Sequence, residues 1–155
     1  MSERARALAE RFEQANQELI VTVERASDAQ WQTKTAGEGW SVGVVAHHVA
    51  VSHPGIAGLV RKIAGGEQVP AMTAEMFAKG NAEHAIQHAN TTKAETLALL
   101  RQNGAAATAT VRALGDAELD RTGGSMGMTT AQVIERILIG HIHEHHGNIR
   151  KAIGA

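Results

Sequence analysis

Nine histidines stand in a chain of 155 residues, and they cluster. His47, His48 and His53 lie together, His84 and His88 are four apart, and His141, His143, His145 and His146 crowd near the C-terminus. There is no cysteine, so disulfides, thiolate nucleophiles and Cys-type zinc sites are excluded. Any transition metal held by this chain takes its ligands from His, Asp, Glu or water.

The most informative spacing is His141-x-x-x-His145, set among Ile134, Leu138 and Ile149. Helical residues four apart rise about 6 Å and point the same way. Two imidazoles therefore project side by side from the face that enters the core, a common grip on a metal ion. His48 continues the face of Val45, Val49, Ser52 and Ile56, so it also points inward. His47 lies about 100° round the helix, at the rim or as a partner that orients a ligand. A buried polar group without a partner costs roughly 1–3 kcal/mol. One divalent ion shared by His48, His141 and His145 would satisfy all three; hydrogen-bonded core histidines are the plain alternative. Neutral imidazole suits Zn, Ni, Cu and Fe, and three protein ligands leave a position for water or substrate.

Helices must position these residues. Leu8, Phe12, Ala15, Leu19 and Val23 recur at three- and four-residue spacing in a first segment over 2–27. A Gly- and Thr-rich loop follows. Ser41 reads as the N-cap of a second helix, with Trp40 stapled onto Val45. Pro54 predicts a kink or break there, with helix resuming to Gly65-Gly66. A weaker helix is expected over 73–89. Thr92 with Glu95 forms a capping box that opens a third long helix to about Leu114. A short helical turn over 116–120 and a Gly-rich loop over 121–128 come next. Thr129 with Gln132 caps the last helix, to about Ala152. Four long amphipathic segments, no strand pattern and no dividing linker predict an all-α, four-helix bundle filling one domain, 1–155, with a short extra helix or turn between the main helices.

Lys plus Arg number 15 and Asp plus Glu 16, a net charge of -1, so no general attraction to nucleic acid or an anionic membrane is expected. Basic residues are interleaved with acids, and aromatics, at 3%, supply no platform for bases. No run is long and apolar enough to span a bilayer, and the N-terminus lacks a signal-peptide pattern, so the cytoplasm is the expected location. His84 and His88, near Asn81 and Glu83, read as surface residues that could border a substrate cleft. Gly123-Gly124-Ser125 reads as a flexible connection, with no phosphate-loop pattern around it.

The segments GWSVGVVAHHVAVSH from Gly39, GNAEHAIQHANTTKAETLALLRQNGAAA from Gly80 and GHIHEHHGNIRKA from Gly140 resemble the DinB-like superfamily, in order over nearly the whole chain. The resemblance implies a four-helix bundle, often a homodimer, that binds a metal through one His of the second helix and two of the last. By position these are His48, eight residues after Trp40, and His141 and His145. Many relatives carry an acidic residue where this chain has Val51, which puts that acid's role in doubt. The mycothiol-dependent maleylpyruvate isomerases have an N-terminal domain that resembles this bundle, and a further C-terminal domain for which no counterpart is read here.

The resemblance implies a metal-dependent enzyme, with zinc or nickel as the foremost metals. It would act on a small molecule with a low-molecular-weight thiol such as mycothiol, as an S-transferase or isomerase. His47, His143, Glu144 and His146 are candidates for orienting ligands or moving protons, with His47 and Glu144 the weak catalytic candidates; for each of the four a solvated helix face is the favoured reading. A hydrolase using a metal-bound water is a second reading. A non-catalytic, metal-stabilised bundle for dimerisation or partner binding is a third.

Overall fold

A computed structural model describes residues 2–124 and 127–154. Ser125 and Met126, part of the Gly-rich loop expected over 121–128, lie outside the described residues. The chain runs α1 (Glu3–Arg25), α2 (Asp28–Gln32), α3 (Val42–Ala64), α4 (Ala74–Gln87), α5 (Lys93–Arg112), α6 (Asp116–Asp120), α7 (Thr130–Val133), a π-helical stretch (Ile134–Ile139) and α8 (Gly140–Ile153). The last three follow one another without interruption. With α1, α3 and α5 they make the four-helix bundle, and no strand occurs among the described residues.

The core is aliphatic, as a chain so poor in aromatics requires. Leu8, Phe12, Leu19 and Val23 of α1 pack with Val45, Val49 and Val60 of α3, Leu100 and Val111 of α5, and Leu138, Ile142 and Ile149 of the last helix. Gly104 lets α5 approach α1 closely, since a Cβ there would lie 2.2 Å from Asn16 Nδ2. Asn16 is buried; it donates to Leu100 O at 2.9 Å, and its Oδ1 lies 2.8 Å from His53 Nε2.

The expected helix starts are present. Ser41 Oγ accepts from Val44 N, and the Thr92–Glu95 and Thr129–Gln132 boxes both close. A third box, Ser27 with Gln30, starts α2 in a stretch read from sequence as loop. It seats Trp31 against Gly43 of α3, where a Cβ would meet the indole at 2.5 Å.

Pro54 does not break α3, which continues from Val42 to Ala64. The proline cannot donate to the carbonyl one turn back, that of Ala50. Asn103 of α5 donates its Nδ2 to Ala50 O instead, at 2.9 Å. The lost bond is replaced from a neighbouring helix, so the helix survives its proline.

Candidate metal centre

His48 projects from the second turn of α3, and His141 and His145 from the first two turns of α8. Their Nε2 atoms converge. His48 Nε2 lies 3.0 Å from His141 Nε2, which lies 3.2 Å from His145 Nε2. The three rings sit edge to face, with centroids 4.5–5.0 Å apart. Burial and the neighbouring imidazoles push His48 down to about 4 and His141 to about 3, so both rings are neutral and offer lone pairs near pH 7.

The loop before α3 completes the arrangement. Thr35 N donates to Trp40 O at 2.8 Å, and Val42 N to Thr33 O at 2.8 Å, closing a tight turn in which Gly39 takes φ +73°. Gly37 rests against Asn148 of α8, where a Cβ would lie 2.6 Å from the amide nitrogen. This brings down Glu38, whose side chain is only 8% exposed, and its Oε2 accepts from His145 Nδ1 at 2.9 Å. That bond places the His145 proton on Nδ1 and leaves its Nε2 lone pair facing the cluster. Trp40 packs edge-on against the His48 ring, centroids 5.6 Å apart.

These residues suit a divalent transition metal. Three imidazole nitrogens meet at one point, and buried His141 Nδ1 has no partner among the described residues. Tetrahedral Zn–N bonds of about 2.0–2.1 Å put neighbouring nitrogens about 3.3 Å apart, close to the separations found. The carboxylate on the far nitrogen of His145 is the usual companion of a metal-bound histidine.

The other sequence candidates separate. His47 is buried and faces α4, with its Nδ1 2.7 Å from His84 Nε2. It stands among His84 and His88, which are half-buried rather than free on the surface. His143 and Glu144 are exposed, His143 along a shallow cleft with Arg11 and Glu18 of α1. His146 is buried on another face and meets Thr22 Oγ1 of α1 at 2.7 Å. The structure therefore does not bring His143, Glu144 or His146 to the three imidazoles. Glu38 was missed from sequence: a single acid in a Gly-rich loop carries no periodicity, and only the adjacent Trp40-Ser41 cap hinted that the loop lies over the second helix. A surface cleft of about 570 Å³, lined by Ser2 and the stretch 112–116, includes none of these histidines.

Residues 12–146 match the family described as Mycothiol maleylpyruvate isomerase N-terminal domain. Among solved structures the fold is similar to YfiT from Bacillus subtilis, described as a probable metal-dependent hydrolase with an unusual four-helix bundle topology. The two share 22% identity with a TM-score of 0.75, over 99% of this chain and 90% of that one. No curated protein matches the sequence. Among the described residues no helix is long and apolar enough to cross a membrane.

Proposed function

The chain belongs to the DinB-like family of mycothiol maleylpyruvate isomerase N-terminal domains, and on that premise we propose that it is a metal-dependent enzyme acting with a low-molecular-weight thiol. The observation that carries this reading is the meeting of three Nε2 atoms, from His48, His141 and His145, at 3.0 and 3.2 Å. A divalent ion held there would supply a positive charge that depresses the pKa of a thiol in the remaining position. Neutral imidazole ligands favour zinc or nickel over the hard, oxygen-seeking cations.

The chain's own groups have definite tasks in such a site. His48, His141 and His145 hold the ion. Glu38 fixes the tautomer and the ring orientation of His145. Trp40 packs edge-on against the His48 ring and supports its orientation.

A second reading, a metal-dependent hydrolase that activates water at the open position, is favoured by one specific observation. Glu38 Oε1 is buried without a hydrogen-bond partner among the described residues, an unused acceptor behind the His145 ligand. The description of YfiT accords with it.

One experiment separates the readings. Zinc- and nickel-loaded protein is melted with and without mycothiol and bacillithiol, and assayed on ester and amide substrates without thiol. Thermal protection by a thiol, lost in His141→Ala, supports the thiol enzyme. Thiol-independent hydrolysis, lost in the same variant, supports the hydrolase. Protein that takes up neither metal overturns both.

A further inference from the structure

We propose that His47, His84 and His88 form a second transition-metal site, one that clamps α4 onto the bundle. The inference does not depend on the first site or on the reaction proposed for it.

α4 is an unusual member of the fold. Its 14 residues include none that is buried. Its large apolar side chains are more than half exposed, Met76 and Phe77 at 54% and Ile86 at 79%, and of these Phe77 lines an open apolar pocket with Leu59 and Ile63 of α3. An isolated helix of this length is marginal in water, and helices in proteins are normally held by a packed apolar face. Here the half-buried residues are Asn81, His84, Ala85 and His88, one narrow stripe. The contact that this stripe offers to α3 is chiefly imidazole.

The imidazoles are arranged as ligands rather than as packing. His84 stands in the last turn of α4 and His88 is the residue that caps its C-terminus, and both reach the buried His47 of α3. His47 Nδ1 and His84 Nε2 are 2.7 Å apart. The His47 and His88 rings stack at 4.2 Å, and the His84 ring lies 5.0 Å from His47 and 4.9 Å from His88. One ring nitrogen from each residue lies within 4.8 Å of those of the other two. Among the described residues no carboxylate hydrogen-bonds to the cluster, the nearby Glu95 being turned to the Thr92 cap, and His84 Nδ1 is buried without a partner. Three nitrogens with no oxygen ligand select zinc, nickel or copper over magnesium or calcium.

The two triads share no residue. His47 and His48 are adjacent in α3 and diverge by about 100°, so one helix feeds two sites. The His48 and His84 rings are 5.6 Å apart, which makes the sites neighbours. A cation in the second would fix α4 as one wall of the first.

Zinc stoichiometry, measured on the full untagged chain, tests this in the wild type, His141→Ala, His84→Ala/His88→Ala and the triple variant. The expected result is two, one, one and no ions per chain. Hydrogen exchange over residues 74–87 is followed in His141→Ala, where only the second site can load. Zinc at about a hundred times its Kd should slow that exchange roughly 100-fold, and the triple variant should show no slowing. One ion in the wild type, kept in His84→Ala/His88→Ala and lost in His141→Ala, would overturn the second site and leave the first. One ion kept in His141→Ala and lost in His84→Ala/His88→Ala would uphold the second and sink the first.

Discussion

At the scale of the residue, the informative histidines are told apart by what lies on their second nitrogen. His145 has Glu38, His53 has nothing on Nδ1, and His146 has a threonine hydroxyl. Glu38→Gln removes the negative charge behind His145. It should weaken zinc binding by about 10–100-fold with stoichiometry unchanged, as read by chelator competition; an unchanged Kd would remove Glu38 from the account. His53 belongs to the core and not to the metal centre, because its Nε2 is engaged by Asn16 and its ring packs edge-on against Phe12. Burial lowers its pKa to about 4 from the ordinary 6.5. The unfolded chain therefore binds a proton between these two values that the folded chain does not. Stability is fully present above pH 6.5 and falls as pH drops toward 4. The loss from this residue alone should be roughly 2 kcal/mol at pH 5, and the lowered values of His48, His84 and His141 act in the same direction. Urea unfolding in the presence of chelator checks it, and a flat profile between pH 5 and 7 would contradict the burial argument.

At the scale of the element, the proline in α3 is the clearest case of a helix kept by a neighbour. Asn103→Ala should leave the Ala50 carbonyl without a donor and cost about 1–3 kcal/mol of unfolding free energy. Pro54→Ala restores a backbone N–H to that carbonyl. In its presence the Asn103→Ala penalty should shrink, and the coupling is read from a double-mutant cycle. Additive penalties would mean that the two residues act independently. The last helix carries a second irregularity, the π-helical stretch at Ile134–Ile139, directly before His141. Such wide turns shift the phase of the residues that follow and are common next to functional sites. The helical-face argument for His141 and His145 assumed an unbroken 3.6 period; His141 and His145 reach His48 with the π stretch in place.

At the scale of the whole molecule, a metal would join α3 to the first turns of α8 across more than ninety residues of chain. A ligand that binds only the folded state stabilises it by about 2.7 kcal/mol at a hundred times its Kd. Chelation of the loaded protein should therefore lower its Tm by several degrees. The loss should be absent in His48→Ala, whose Tm ought to be the same with and without chelator in a background lacking His84 and His88. A chelator-insensitive wild type, shown by elemental analysis to carry metal, would mean that the ion does not bridge the helices.

Much of this protein could be read from its sequence, because helices are governed by local rules. The four long helices follow from apolar spacing in Leu8–Phe12–Leu19, Val45–Val49 and Leu138–Ile142. Their starts follow from Ser41, Thr92 and Thr129, whose side chains act within three residues. The facing of His48, His141 and His145 toward the interior was legible for the same reason, since direction on a helix is set by counting. What depends on contact between distant segments was not. Glu38 reaches His145 across 107 residues, Asn103 rescues Ala50 across 53, and His84 meets His47 across 37. Each of these is a single polar bond with no period to announce it. Only the packing of α3 against α4, α5 and α8, with the Glu38 loop laid over α8, decided which carbonyl, carboxylate and imidazole would stand within 3 Å of each other.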